Sequence, residues 1–150
     1  MIHEFEKYHG VALRQLVVEA GNLGLFLRVE ESRGRVNSYV VNDQVGLHIK
    51  HSSKRMPPWQ FTFDNENCEE LASLREHAAQ IWIVLVCGPD GVVGLTYDEF
   101  LSVNPEGCEA TAFVRIDGDK RGMYRVRGRE CALSGEKPRG IARIMNQIRG

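Results

Sequence analysis

The sequence predicts an α/β fold with an αβββαβ core, in which a mixed sheet is flanked by helices. Apolar residues recur at three- and four-residue spacing between Phe5 and Ala20, which indicates an amphipathic helix. Alternating positions between Leu23 and Ser52 predict three consecutive strands. The segment IWIVLVCG, 81–88, is apolar at nearly every position, as is typical of a strand covered on both faces. A helix between the third strand and this buried strand predicts a right-handed crossover within one sheet.

The first half of the chain supplies the first helix and the three-stranded meander. The helix is predicted to stop at Gly21-Asn22, because glycine and asparagine are common where helices end. The segments LGLFLRVEES, VNSYVV and VGLHIKHS alternate apolar and polar positions and are the three predicted strands. The segment NDQ, between the second and third strands, has the composition of a tight turn.

The second half of the chain is predicted to hold one more helix of the core and several shorter elements. WQFTF alternates aromatic residues on one face, so it is either a fourth strand or the far half of a bent third strand. Asp64 or Asn65 is expected to cap the helix that follows, and Thr96 with Glu99 forms a capping box for a short helix. AFVRI and MYRVRG are predicted as short strands, and the last dozen residues as a basic helix.

Length and composition indicate one domain, residues 1–150, with a core over 1–101 and a basic C-terminal extension over 104–150. The chain has no run of 18 apolar residues, so we expect no membrane span and no membrane partner. The segment MIHEFEKYHG is acidic and polar, unlike a secretory signal, and this favours a cytoplasmic location.

The four cysteines lie about 20 residues apart and form no CxxC pair. This spacing does not favour metal ligation by cysteine. In a cytoplasmic protein we expect all four to remain reduced thiols.

Charge is distributed unevenly along the chain. Residues 1–114 carry 9 Lys and Arg against 16 Asp and Glu, a net −7, whereas residues 115–150 carry 10 against 4, a net +6. A basic segment on a near-neutral protein is typical of a contact with nucleic acid. The same segment could instead neutralise the acidic body of the protein, and the composition leaves both interpretations open.

The third predicted strand carries a further signal. His48 and Lys50 share one of its faces. Together with the element order, LHIKHSSK resembles the third-strand motif of the PD-(D/E)XK nuclease superfamily, in which Glu or Gln precedes Lys by two positions. Lys50 matches the motif lysine, and Lys50 and His48 are the candidate catalytic residues. The resemblance covers residues 1–101 and implies a restriction-endonuclease-like fold, Mg²⁺ or Mn²⁺ held by carboxylates, and a lysine that orients or activates the attacking water.

The chain departs from this family motif at the carboxylate positions. His48 occupies the position of Glu or Gln, and Asn37 and Ser38 lie where the family has Asp. Imidazole and carboxamide are weak ligands for Mg²⁺. The carboxylates that could reach the site instead are spread over the chain: Glu19, Glu30, Glu31 and Asp64. Glu30 and Asp64 are the expected metal ligands if the protein cleaves. The motif therefore allows either a rebuilt ligand set or a scaffold that has lost cleavage, and the sequence favours the second.

Two cationic segments predict a nucleic-acid site. The first follows Lys50 in the sequence and consists of Ser52, Lys54 and Arg55. Their hydroxyl and cationic groups can bind phosphate oxygens. The second is MYRVRGR, in which every second residue from 125 to 129 is arginine. This alternation predicts a stripe on one strand face, formed by Arg125, Arg127 and Arg129. Trp59 could stack a base, but its alternation with two phenylalanines favours packing in the core.

The alternative for His48 and Lys50 is a solvated face on an exposed edge strand, where lysine also blocks unwanted strand pairing. The leading hypothesis is that the protein has a nuclease-like fold and binds DNA or RNA. Loss of cleavage is favoured over a metal-dependent phosphodiesterase activity. The second hypothesis is a protein-interaction or regulatory module that docks a partner protein with the same scaffold.

Overall fold

Two β-sheets and four α-helices form the part of the chain described by this computed structural model, residues 1–118 and 121–149. The helices are α1 (Glu4–Leu23), α2 (Asn65–His77), α3 (Tyr97–Val103) and α4 (Ala142–Arg149). The strands are β1 (Val29–Glu31), β2 (Ser38–Val41), β3 (Val45–Ser52), β4 (Trp59–Phe63), β5 (Gln80–Cys87), β6 (Gly91–Thr96), β7 (Ala112–Gly118), β8 (Met123–Arg127) and β9 (Lys137–Pro138). A 3₁₀ turn occupies Gly107–Glu109.

The first sheet contains the predicted meander and the buried strand, in the order β1-β2-β3-β5-β6. β3 and β5 run parallel, in register from Val45 opposite Gln80 to Ser52 opposite Cys87, and every other pair in this sheet is antiparallel. The parallel pair follows from the crossover through α2. The predicted α/β class with a mixed sheet is confirmed.

The second sheet is antiparallel, with the order β4-β7-β8-β9. WQFTF is therefore a separate strand and not the far half of β3. Its three aromatic residues, Trp59, Phe61 and Phe63, are buried, while Gln60 and Thr62 between them are exposed. The second sheet thus packs its aromatic face inward and turns its other face to solvent.

Two hydrophobic cores lie on opposite faces of the first sheet. One lies between the two sheets and includes residues of α2 and α3, and the other lies between the first sheet and the helices α1 and α4. Residues of 104–150 are buried in both cores: Ala112, Val114, Ile116, Tyr124, Val126, Ile141, Ile144 and Met145. The hydrophobic core therefore does not end at residue 101, because buried residues of the basic C-terminal segment belong to both cores.

α1 runs further than the glycine at position 21 predicts. It ends at Leu23 and is capped by Gly24, whose φ of 67° is left-handed and whose N–H reaches the carbonyls of Ala20 and Gly21. The following Leu25 and Leu27 pack against the core without joining a strand, so β1 is only three residues long. None of the helices in the described ranges is long and apolar enough to cross a membrane.

Two of the four cysteines form a disulfide. Cys68 in α2 is bonded to Cys108 in the 3₁₀ turn, with their Cα atoms 6.0 Å apart. Cys87 is a buried thiol and Cys131 a half-buried one. The expectation of four reduced thiols is therefore wrong for Cys68 and Cys108, because sequence spacing does not show that two distant segments meet.

Candidate functional site

His48 and Lys50 lie on a central strand and not on an exposed edge. β3 pairs with β2 on one side and β5 on the other, and helices or β4 cover both of its faces. His48 is fully buried and Lys50 is half-buried. The prediction of a solvated edge is wrong, because the second sheet and α2 close over this face.

A chain of hydrogen bonds joins His48 to α2. Ser38 lies directly opposite His48 in the β2–β3 pair, with Ser38 Oγ 3.2 Å from His48 Nδ1 and 3.0 Å from Glu70 Oε1. The hydroxyl has a single proton and donates it to the carboxylate. The Nδ1–H of His48 therefore donates to Ser38 Oγ, which leaves the His48 Nε2 lone pair without a partner.

Glu70 is held by two further donors. The backbone N–H and the side-chain Nδ2 of Asn37 donate to its two oxygens, at 3.1 and 3.0 Å. Its outer side borders a cleft of about 260 Å³ that is also lined by Glu66 and residues 34–37. Both carboxylate oxygens of Glu70 are thus already occupied by protein donors.

Lys50 is bound by the start of α2. Its Nζ donates to Asn67 Oδ1 at 2.9 Å and lies 5.2 Å from the centre of the Phe63 ring. Asp64 caps α2, since its Oδ1 accepts the Asn67 N–H at 2.9 Å, which confirms one of the two predicted caps. Burial lowers the pKa of Lys50, against the opposing effect of the Asp64 and Glu70 charges.

We call these six residues the polar cluster: Asn37, Ser38, His48, Lys50, Asn67 and Glu70. Burial, followed by the nearby Lys50 charge, lowers the pKa of His48 to about 3. His48 is therefore a neutral imidazole at physiological pH. Sequence reasoning missed Asn67 and Glu70, although both lie at helical spacing from the buried Leu71 and Leu74, where polar residues are unexpected.

A second buried histidine lies on the other face of the first sheet. His9 of α1 is 2.8 Å from the Tyr39 hydroxyl through its Nδ1, and its Nε2 also lacks a partner. Burial and the neighbouring His51 lower the pKa of His9. His51 in turn stacks on Tyr8, with ring centres 4.4 Å apart. These contacts attach the start of α1 to the end of the sheet that carries the polar cluster.

The two predicted metal ligands are not brought together. Glu30 is exposed on β1 and bonded to Arg28, with 2.6 Å between the closest atoms. Its register partner Val40 pairs with Gly46, so Glu30 lies two strands from β3 and four residues, roughly 13 Å, from the level of Lys50. Of the two predicted ligands, only Asp64 lies near Lys50.

The cluster does not fit Mg²⁺ or Mn²⁺. Such ions need several oxygen ligands, yet Glu70 is the single carboxylate among the six residues of the polar cluster, and both of its oxygens accept protein hydrogen bonds. In residues 1–118 and 121–149, no group of three or more His, Cys, Asp or Glu side chains is placed to hold a metal ion.

The loop behind β3 folds back onto β4. Ser52 Oγ accepts the Lys54 N–H at 3.3 Å, and Lys54 Nζ donates to the Pro58 carbonyl at 3.0 Å. The Trp59 indole is buried and donates to the Lys54 carbonyl at 2.8 Å, so this ring packs in the core and is not available to stack a base. Arg55 is exposed.

The predicted arginine stripe is split by the end of β8. Arg125 and Arg127 are exposed on β8, whereas Arg129 follows the strand and lies 3.6 Å from Glu106. Arg127 lies directly opposite Arg115 of β7, and Arg125 lies opposite Asp117. We call the solvent side of the second sheet the arginine face, formed by Gln60, Thr62, Phe113, Arg115, Asp117, Arg125 and Arg127.

The two cationic segments lie at the same end of the second sheet. Trp59 pairs with Ile116, so the preceding Pro58 lies at the level of the Asp117–Arg125 pair. Lys54, bound to the Pro58 carbonyl, is thereby placed at the same end of the sheet as Arg125. Lys54 and Arg125 thus lie at the same end of the second sheet, on either side of β7, whereas Lys50 lies in the polar cluster between the two sheets.

Other C-terminal cations pair with the acidic body. Glu99 accepts from Lys137 at 3.1 Å and from Arg143 at 2.8 Å, and Asp90 is 3.0 Å from Arg139. The ion pairs support the neutralising interpretation of the basic segment for Lys137, Arg139 and Arg143. Part of it neutralises acids of the body, and part of it makes the arginine face.

Comparison of the chain with protein-family models, with curated proteins and with solved structures gives no match in any of the three.

Proposed function

We propose that this chain is a nucleic-acid-binding protein, built on a nuclease-like scaffold that does not cleave, and that it contacts phosphates with the arginine face. One observation carries the proposal: Arg115 and Arg127 lie directly opposite each other on an open sheet face, with Arg125 next to them. Lys54 and Arg55 extend the cationic surface at the end of the sheet.

Opposed like charges on neighbouring strands destabilise a sheet. In the described ranges, no hydrogen bond or ion pair joins the side chains of Arg125 and Arg127 to another residue, and Arg115 reaches only Asp117, at 3.9 Å. A phosphate between two guanidinium groups would relieve their repulsion and could accept a bidentate pair of hydrogen bonds. The arrangement is therefore better suited to a bound polyanion than to the protein alone.

The nuclease-like part of the proposal is supported by topology and by one matched residue. The strand order, the parallel β3–β5 pair and Lys50 on β3 agree with the resemblance to the PD-(D/E)XK superfamily. The proposed loss of cleavage is supported by the polar cluster, in which Ser38 and His48 replace carboxylates and Glu70 is engaged by protein donors.

Binding at increasing salt tests the proposal. Fluorescein-labelled oligonucleotides, single-stranded and duplex, should lose affinity steeply, with a slope of about −0.7 to −0.9 per phosphate contact. The double variant Arg115→Gln, Arg127→Gln should make that slope less steep by the amount expected for roughly two phosphate contacts. Arg14→Gln on α1, on the opposite side of the first sheet, is the matched control and should behave as wild type. No binding of any oligonucleotide at low salt would refute the proposal.

Plasmid nicking tests the absence of cleavage. With Mg²⁺ or Mn²⁺ present, wild type and Lys50→Ala should leave supercoiled plasmid equally intact. Nicking by wild type that disappears in Lys50→Ala would show an active nuclease and overturn this part of the proposal.

Docking of a protein partner is the second candidate, and one feature favours it. β1 is the edge strand of the first sheet, its three residues are exposed, and Phe26 just before it is 96% exposed. An extended peptide could add to this edge through main-chain hydrogen bonds, with Phe26 as an apolar contact. Phe26→Ser should leave nucleic-acid binding unchanged and abolish such docking.

The proposal places the protein in the cytoplasm, together with nucleic acid. Cys68 is half-buried and Cys108 is exposed, so their disulfide would be accessible to the reducing thiols of that compartment. Counting thiols in protein isolated under alkylating conditions tests whether the bond is present there.

A further inference from the structure

We propose that the arginine face binds single-stranded RNA, with one base stacked on Phe113 and the neighbouring phosphates on Arg115 and Arg127. This inference rests on the proposed function and names its substrate class. The juxtaposition that carries it is an aromatic ring and opposed arginines on one open sheet face.

Phe113 is the one aromatic residue of the arginine face among the described residues. It is half-buried, on the same side of β7 as Arg115 and Asp117, whereas its neighbours Ala112 and Val114 point into the core. Phe113 lies opposite Thr62 of β4 and does not belong to the partly buried residues packed against either hydrophobic core. The accessible part of its ring therefore lies on the arginine face.

The shape of the surface favours a single strand over a duplex. Phe113 and Arg115 are two residues apart on one strand, roughly 7 Å between Cα atoms, and Arg127 is on the next strand. The bases of a duplex are stacked inside it, so they cannot lie on the Phe113 ring. A single strand can lay an unstacked base on the ring while its backbone follows the arginines.

The polar residues of the face favour RNA over DNA. Asp117 lies among the arginines, opposite Arg125, and Gln60 and Thr62 add side-chain oxygens. A carboxylate repels the phosphates of RNA and DNA alike, but it accepts a hydrogen bond from the 2′-hydroxyl, which only RNA carries. Asp117 is therefore the residue we assign to distinguishing the sugar.

Variants at position 113 test the stacking. With a fluorescein-labelled single-stranded RNA dodecamer as the probe, Phe113→Leu should weaken binding about tenfold while keeping the salt slope, because only stacking is lost. Phe113→Tyr keeps an aromatic ring and should bind as wild type. Arg127→Gln should instead reduce the salt slope by about 0.7, the value for one phosphate contact of a single strand.

A direct readout uses Phe113→Trp. Both native tryptophans, Trp59 and Trp82, are buried, so the added indole would report on the face. Its fluorescence should be quenched by the single-stranded RNA, and less by DNA of the same sequence. Asp117→Asn should reduce the difference in affinity between the two sugars.

The results separate the inference from the proposed function. Equal affinity for duplex and single strand, or an unchanged affinity in Phe113→Leu, would overturn the inference while the arginine variants still supported nucleic-acid binding. Equal affinity for RNA and DNA in wild type would overturn the assignment of Asp117 and of RNA. If the protein bound no oligonucleotide at all, both the inference and the proposed function would be refuted.

Discussion

Ser38 and His48 face each other across β2 and β3, with Ser38 Oγ 3.2 Å from His48 Nδ1. Because the same hydroxyl donates to Glu70, it fixes the imidazole in the tautomer whose Nε2 carries the lone pair. Stability and pH response should both depend on this hydroxyl.

Ser38→Ala should destabilise the protein by about 2 kcal/mol. The change leaves the buried His48 Nδ1–H without an acceptor and removes one donor from Glu70, and an unpaired buried polar group costs about 1–3 kcal/mol. Urea unfolding at neutral pH measures the effect. Ser53→Ala, on an exposed residue of the loop after β3, is the control and should unfold like wild type. A Ser38→Ala protein as stable as wild type would contradict the hydrogen-bond chain.

His48 should make the protein less stable in acid. In the unfolded chain an ordinary histidine takes up a proton below pH 6.5, whereas the folded His48, with its pKa near 3, does not. The free energy of unfolding should therefore fall as pH drops from 6.5 towards 3 and be unaffected by this group above 6.5. Between pH 7 and pH 4.5, wild type should lose about 2 kcal/mol more than His48→Gln in urea unfolding. Parallel pH profiles for the two proteins would be the contrary result.

Lys50→Met should leave stability unchanged or raise it by up to about 1 kcal/mol. Methionine keeps the unbranched stem over Phe63 and removes a charge that burial disfavours. Asn67 Oδ1 keeps a donor in the Asp64 N–H, at 3.1 Å, so the change leaves no unpaired acceptor. Thermal unfolding at neutral pH is the measurement.

The comparison for Lys50 is Lys50→Glu, which puts a third negative charge beside Asp64 and Glu70 and should be strongly destabilising. A loss of more than about 2 kcal/mol in Lys50→Met would show that the ammonium stabilises the fold. Little loss would mean that this lysine is retained for a reason other than stability.

The Cys68–Cys108 disulfide should contribute roughly 3–4 kcal/mol, because it closes a loop across a sequence separation of 40. The double variant Cys68→Ser, Cys108→Ser should show that loss in urea without reductant, and wild type should show it on reduction. Cys131→Ser, which removes a thiol outside the disulfide, is the control. Denatured, unreduced protein should titrate two thiols, those of Cys87 and Cys131; four would disprove the bond.

The sequence predicted the first sheet well, because its signals are local. The apolar run 81–88 and the alternation over 45–52 identified β5 and β3, and the helix between them set their parallel pairing. Thr96 and Glu99 predicted the capping box that opens α3, which is present.

The second sheet was not predictable in the same way. Its strands were recognisable one at a time, but the pairing of Trp59 with Ile116 joins segments far apart in the chain. Nothing in the alternation of WQFTF says which sheet it joins. The prediction of an exposed site at His48 was wrong for this reason, since the cover over that residue comes from β4 and from α2.

The candidate site was predicted only in part. Residue type and spacing predict Lys50, Arg125 and Arg127, whereas Glu70 and Asn67 lie on α2 beside the buried Leu71 and Leu74, where apolar residues are expected. Phe113 was placed in a strand, but its outward direction follows from which face of that strand meets β4 and the core.

The pairing of β4 with strands from the C-terminal third also has a consequence for biosynthesis. A ribosome releases Trp59, Phe61 and Phe63 well before it makes their pairing partners Ile116, Val114 and Ala112. Until then the nascent chain holds three large aromatic side chains without their neighbouring strand. We therefore expect the growing polypeptide to be most prone to aggregation before its last third has been made.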